Sequence, residues 1–254
     1  MINVGPAGSS GLGNYEGVSH CKELGLGCME VEFTYGVRMG IDEAKRVGEL
    51  AKKLGIALSV HGPYYINLCS AEKAKVSASR RRILESCERA HYLGAKYVVF
   101  HAAFYGKRTK EECYEIVKDE IERLQKMVKH EKWDVLLAPE TTGKGSQFGD
   151  LDELVKLSKE TGCAVCIDFA HLKARNNGKI DYDEVMEKVN KIKHKTAHFS
   201  GIEWTEKGER RHLLTKESDI KELFKYLKKH NVSINIVNES PDPFGDAVKM
   251  KKAL

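Results

Sequence analysis

Eight apolar runs of strand length alternate with eight amphipathic stretches from one end of this chain to the other. The runs lie near residues 2–5, 28–33, 56–61, 96–101, 133–139, 163–168, 195–199 and 232–238. Helical patterns lie between and after them, near 14–25, 41–54, 72–93, 109–131, 149–161, 181–192, 216–230 and 243–253. Three of these patterns run into glycine just before the next strand, at Leu24-Gly25, Leu54-Gly55 and Leu93-Gly94, which is the chemistry of a helix C-terminus. Eight strand–helix units in 254 residues, with no linker or low-complexity segment between them, predict an α/β fold: one (β/α)8 barrel spanning residues 1–254. A doubly wound open sheet is the alternative. Its usual dinucleotide site is not expected here, because Gly5-Pro6-Ala7-Gly8-Ser9-Ser10-Gly11 lacks the G-x-G-x-x-G spacing. No organic cofactor is expected.

In a parallel barrel the strand C-termini open onto one face, so residues far apart in sequence converge there. Six of the runs end on a side chain that binds metals: His61, His101, Glu140, Asp168, His198 and Glu239. His171 follows three residues after Asp168, and His212 falls in the loop after the seventh strand. Each residue alone has an ordinary reading, as a helix cap, an ion-pair partner or a half-exposed imidazole. Their recurrence at consecutive strand ends predicts a metal centre of mixed nitrogen and oxygen ligands, suited to Zn²⁺ with Mn²⁺ or Fe²⁺ as alternatives. One ion takes about three or four protein ligands. Eight candidates therefore predict more than one ion, two or three in all, sharing a bridging carboxylate. Ion pairs about 3.5–4 Å apart are typical of phosphoester hydrolysis. His20, His91, His130, His194 and His230 fall on or beside helical patterns and are read as structural.

Lys and Arg give the chain a net charge of +5, which permits a polyanionic partner without requiring one. No apolar run approaches membrane-spanning length and the N-terminus has no signal-peptide layout, so a cytoplasmic protein without a membrane partner is expected. Seven cysteines are scattered along the chain. The C-x-x-C pair Cys163 and Cys166 lies in a strand-like run with no second pair, so it is read as buried reduced thiols rather than a zinc site.

The chain resembles the endonuclease IV family of metal-dependent apurinic/apyrimidinic-site endonucleases over nearly its full length. The matching stretches are His61-Gly62-Pro63-Tyr64-Tyr65-Ile66-Asn67-Leu68, Phe100-His101, Pro139-Glu140-Thr141 with Gly145-Ser146-Gln147-Phe148-Gly149, Cys166-Ile167-Asp168-Phe169-Ala170-His171, Ala197-His198, Arg210-Arg211-His212 and Glu239-Ser240-Pro241. The resemblance implies a three-ion site. His61 and His101 would hold the first ion, Glu140 would bridge it to a second held by Asp168, His198 and Glu239, and His171 and His212 would hold the third. It also implies cleavage of double-stranded DNA on the 5′ side of an abasic sugar, and a monomer is expected. Arg38 matches an arginine of the family's first DNA-probing loop and Tyr64 a tyrosine of the second.

Two departures stand out. The family's Asp-x-His after strand seven reads Arg210-Arg211-His212 here, and Pro6 stands where the family has a histidine. The third ion therefore loses a carboxylate unless Glu209 or Glu203 replaces it, and Arg210 is expected to contact the DNA phosphate instead. The competing function is a single-metal sugar isomerase or epimerase of the xylose-isomerase-like barrels, since Glu140, Asp168, His198 and Glu239 satisfy that ligand pattern too. A non-catalytic nucleic-acid-binding barrel is the third class.

Overall fold

The computed structural model describes all 254 residues. Strands β1 (Ile2–Pro6), β2 (Cys28–Glu32), β3 (Ala57–His61), β4 (Tyr97–Phe100), β5 (Leu136–Pro139), β6 (Val165–Asp168) and β7 (Lys195–Phe199) are followed by a hairpin, β8 (Gly201–Thr205) and β9 (Gly208–Leu213), and by β10 (Ile234–Asn238). Two four-stranded parallel sheets, in the orders β2-β3-β4-β5 and β1-β10-β7-β6, close into a barrel. Single parallel bridges join their seams, Ala7 to Glu30 and Glu140 to Cys166. The (β/α)8 expectation therefore holds, with β10 as the eighth barrel strand.

The helices α1 (Asn14–Glu23), α2 (Ile41–Leu54), α3 (Lys73–Leu93), α4 (Lys110–His130), α5 (Leu151–Thr161), α6 (Phe169–Arg175), α7 (Tyr182–Asn190), α8 (Glu217–Lys229) and α9 (Pro243–Lys252) connect the strands. Their ends follow local chemistry. Thr109 caps α4 and Asp150 caps α5, each in a reciprocal pair with a glutamate at the third helical position. Gly55 and Gly94 take left-handed backbone at the ends of α2 and α3, as the sequence predicts. None of the helices is long and apolar enough to cross a membrane.

Alternation along the strands separates two cores. Val60, Val98, Phe100, Leu137, Val165, Ile167 and Ile236 belong to the large cluster between barrel and helices. Val99, Ala138, Ala164 and Cys166 form a small separate cluster at the intervening positions, inside the barrel. The ligand-type residues share that inward parity and stand one layer above, so the same alternation that packs the helices aims them at the barrel mouth.

Two elements go beyond eight strand–helix units. Helix α6 starts directly at Asp168, which caps it. The hairpin β8/β9 fills what sequence analysis treats as a loop. It is exposed along much of its length, so it carries none of the apolar signal that marks the barrel strands. The fifth strand is also shorter than expected, beginning at Leu136 rather than residue 133.

Candidate metal centre

Glu140 sits one residue beyond β5, with its side chain out of contact with water. Its two carboxylate oxygens face different partners. Oε2 lies 3.2 Å from His61 Nε2 and 3.1 Å from His101 Nε2. Oε1 lies 3.1 Å from His198 Nδ1 and 3.3 Å from His171 Nδ1. This is the disposition of a bridging carboxylate. Burial works against its charge, but the His101 and His198 charges and the hydrogen bonds from His101 and His171 hold it well below the usual carboxylate range.

Backbone groups at the strand ends anchor the imidazoles. His61 Nδ1 donates to the Gly62 carbonyl at 2.8 Å, leaving Nε2 toward Glu140. His171 Nδ1 donates to the Thr141 carbonyl at 3.0 Å, and its buried Nε2 has no hydrogen-bond partner. His212 Nδ1 rests 2.7 Å from Ser200 Oγ. An imidazole with one nitrogen tied to the protein and the other facing a shared centre is the usual arrangement of a metal-ligating histidine. Asp168 does two jobs: Oδ1 accepts the His171 backbone N–H at 2.8 Å, while Oδ2 is buried without a hydrogen bond. Thr141 ties β5 to β6, its hydroxyl accepting from the Asp168 backbone N–H at 2.8 Å.

Four groups of donor atoms result, each with its atoms within 4.8 Å of one another: His61, His101 and Glu140; Glu140, Asp168, His198 and Glu239; His171, Glu209 and His212; and, overlapping the second, Glu140, Cys166 and His198. All eight ligand candidates from the sequence lie in this cluster, and Glu209 and the Cys166 thiol join them. The orphaned Asp168 Oδ2 and His171 Nε2 fit a bound cation, since an unpaired buried polar atom costs about 1–3 kcal/mol. The protons show the same strain. Burial disfavours a charged ring at His61, yet the hydrogen bond to Glu140 and the charges of Glu32, Glu140 and Glu30 outweigh it and push its pKa up to about 10. Burial, aided by Glu239 and Glu140 against the pull of His171, raises Asp168 to about 6.

The hairpin settles the departure at the third group. Glu209 Oε2 stands 3.4 Å from His171 Nε2, and the Glu209 backbone N–H donates to the Gly143 carbonyl at 2.9 Å. Residues 209 and 212 would face opposite sides of a regular strand. Here the ladder pairs Glu203 with Arg211 and Trp204 with Glu209, so Arg210 is the extra residue of a bulge that re-aims its neighbour. The expected loss of a third carboxylate is thus corrected by Glu209. Arg210 is not brought into the cluster: it is exposed, with Nη1 2.8 Å from Glu203 Oε1. Glu203 also binds Arg211, at 2.5 Å, and so is occupied away from the cluster.

The two rim residues are placed as follows. Tyr64 is 59 % exposed, its ring centroid 6.3 Å from that of His61. Arg38 is exposed on a surface cavity of about 420 Å³ that Glu32, Thr34 and Tyr35 also line. Tyr65 and Phe104 add exposed aromatic surface on the neighbouring loops after β3 and β4. Of the remaining histidines, His20, His130 and His230 pair with local acids outside the cluster, and all seven cysteines are buried and free.

Sequence reasoning missed Glu30 and Glu32, and it named Glu209 only as one of two alternatives. Both lie on β2 at inward positions, Glu30 fully buried and Glu32 with a buried, unpaired Oε1. Burial raises the Glu32 pKa to about 8, Glu30 and Glu239 adding to it against His61. The available signal was two acids, two residues apart, in a run otherwise apolar.

Comparison with known proteins identifies the family and the fold. The xylose isomerase-like TIM barrel family matches residues 18–253, and the chain belongs to it. An uncharacterized protein of Methanocaldococcus jannaschii is 40 % identical over 99 % of this chain and 96 % of its own length. The apurinic-apyrimidinic endonuclease of Caenorhabditis elegans is 31 % identical over 52 % of this chain and only 35 % of its own length. Solved structures share the fold on both sides of the functional divide. SacUVDE has a TM-score of 0.79 at 16 % identity, covering 100 % of this chain and 98 % of that one. Endonuclease IV from Thermus thermophilus scores 0.69 at 20 % identity, covering 99 % and 97 %. A D-psicose 3-epimerase crystallised with D-fructose scores 0.70 at 17 %, covering 98 % and 89 %.

Proposed function

We propose that this xylose isomerase-like barrel is a multi-metal hydrolase of the endonuclease IV type, cutting double-stranded DNA on the 5′ side of abasic sites. One observation carries the reading: donor groups flank the Glu140–Asp168–His198–Glu239 set on both sides. A sugar isomerase needs that set alone. His61 and His101 on one side, and His171, Glu209 and His212 on the other, have no task in a one-ion reaction.

His61, His101, Glu140, Asp168, His171, His198, Glu209, His212 and Glu239 would hold the ions, with zinc favoured by the imidazole content. Bound there, divalent ions supply a water acidic enough to attack at neutral pH and neutralise charge on the phosphate oxygens. The protein's own part is positional. Glu140 presents one oxygen to each half of the cluster, and the Thr141, Gly62 and Ser200 contacts fix the ring orientations. Exposed Tyr64 and Arg38 stand beside the mouth, where insertion into a distorted duplex would expose the phosphate.

The epimerase reading keeps one supporting observation, the compactness of the four-residue set. A duplex with a single abasic site, incubated with and without chelator beside a panel of ketoses, separates the two. Chelator-sensitive incision 5′ to the lesion with two or three bound ions supports the endonuclease. Ketose interconversion on one ion, with the duplex uncut, overturns it.

A further inference from the structure

We propose that Glu30 is a positioning residue for the central ion, holding His198 with Nε2 protonated and Nδ1 free to ligate. The inference rests on the metal-centre reading and extends it one layer below the ligands. His198 is completely buried and presents Nδ1 to the site, 3.1 Å from Glu140 Oε1 and 3.3 Å from Glu239 Oε1. Its Nε2 points the other way, 2.8 Å from Glu30 Oε1. That approach lies outside hydrogen-bond alignment, so neither atom has a hydrogen-bond partner, and they meet at ion-pair distance. Ser59 donates its hydroxyl to the second Glu30 oxygen at 2.6 Å. The carboxylate is thus held from the adjacent strand, where Ser59 is its register partner, and its other oxygen faces the His198 ring.

Glu30 is fully buried inside the barrel, and its side chain pairs with no lysine or arginine. A buried carboxylate without a cationic partner is costly. A cation on Nδ1 would draw electron density from the ring and leave its Nε2 side more positive, which strengthens the attraction to Glu30 at ion-pair distance. The carboxylate in turn makes the ring a better ligand. Glu30 therefore belongs to the ion that His198 shares with Glu140, Asp168 and Glu239, and to neither flanking group.

Glu30→Gln keeps the shape and removes the charge. Purified parent and variant are stripped of metal and titrated with Zn²⁺ against a competing chelator, with thermal unfolding of the stripped proteins alongside. The expected result is one class of zinc site weakened by about 10- to 100-fold, the cost typical of losing an outer carboxylate partner. The other classes and the stripped protein's unfolding temperature stay close to the parent. Superimposable zinc isotherms overturn the proposal. A parent that binds no zinc overturns the metal-centre reading itself, and with it this one. Where Glu30→Gln does not fold, the parent decides by two-bond ¹H–¹⁵N correlation of the zinc-loaded protein, with the His198 signal assigned by its loss in His198→Gln. A proton on Nε2 supports the assignment of Glu30, and a proton on Nδ1 overturns it.

Discussion

At the scale of single residues, the third donor group depends on Glu209 and not on Arg210. Glu209→Ala should remove one bound ion and leave the pair around Glu140 in place. Arg210→Ala should leave the ion count unchanged, because that guanidinium is engaged with exposed Glu203. Elemental analysis of the two variants checks both outcomes; an ion lost only from Arg210→Ala would reverse the assignment. The protons of the cluster set a second expectation. His61 has its pKa pushed up to about 10, so in the metal-free protein at pH 7 its ring carries a proton that a cation must displace. His171 and His198 are also raised well above the ordinary imidazole value. A proton held below a raised pKa competes with metal below that pKa, so zinc affinity should rise with pH from neutrality toward 10. The slope is at most roughly tenfold per pH unit for each displaced proton. Below pH 6 Asp168, raised to about 6, adds another competing proton. Calorimetry in buffers of different ionisation enthalpy reads the released protons directly, and equal affinity at pH 6 and pH 8 would refute the coupling.

At the scale of elements, the hairpin β8/β9 carries the largest departure from the regular barrel. Its bulge at Arg210 lets Glu209 and His212, three apart, reach the same side. Deleting Arg210 should straighten the ladder and leave the acid and the histidine two apart, again on one face. The deletion variant is expected to keep its third ion, in contrast to Glu209→Ala. A third ion lost on deletion, with the other two retained, would show that the bulge itself shapes the site. The barrel strands needed no such device to be read, because apolar runs closed by glycine-ended helices identify them. The hairpin was illegible because its residues are exposed and charged on a strip only two strands wide. Helix α6 escaped notice for a related reason: it begins on Asp168 itself, whose capping role hides behind its role as a ligand.

At the scale of the whole molecule, the candidate metal centre draws on β2, β3, β6, β7, the loops after β4, β5 and β10, α6 and the hairpin, and so it links both half-sheets across both seams. Ions bound there should act as a staple on the native state alone. At a free ion concentration 100-fold above the dissociation constant, one site adds about 2.7 kcal/mol. For a chain of this size that is a rise in unfolding temperature of roughly 5–10 °C, read by comparing zinc-loaded protein with protein held in chelator. No difference would place the ions outside the folded core. The sequence by itself determined the barrel, because hydrophobic period and helix-end chemistry are local properties. It also determined the six donors at strand ends, from His61 to Glu239, because strand ends of a closed parallel barrel must converge. Only the tertiary structure decided the rest. Glu209 supplies the third carboxylate through a bulge, Arg210 turns outward to Glu203, and Glu30 stands 2.8 Å from His198 although 168 positions separate them in the chain. Each of these depends on which way a side chain points after register and closure are set, and that is a property of pairing between distant segments, which no local pattern encodes.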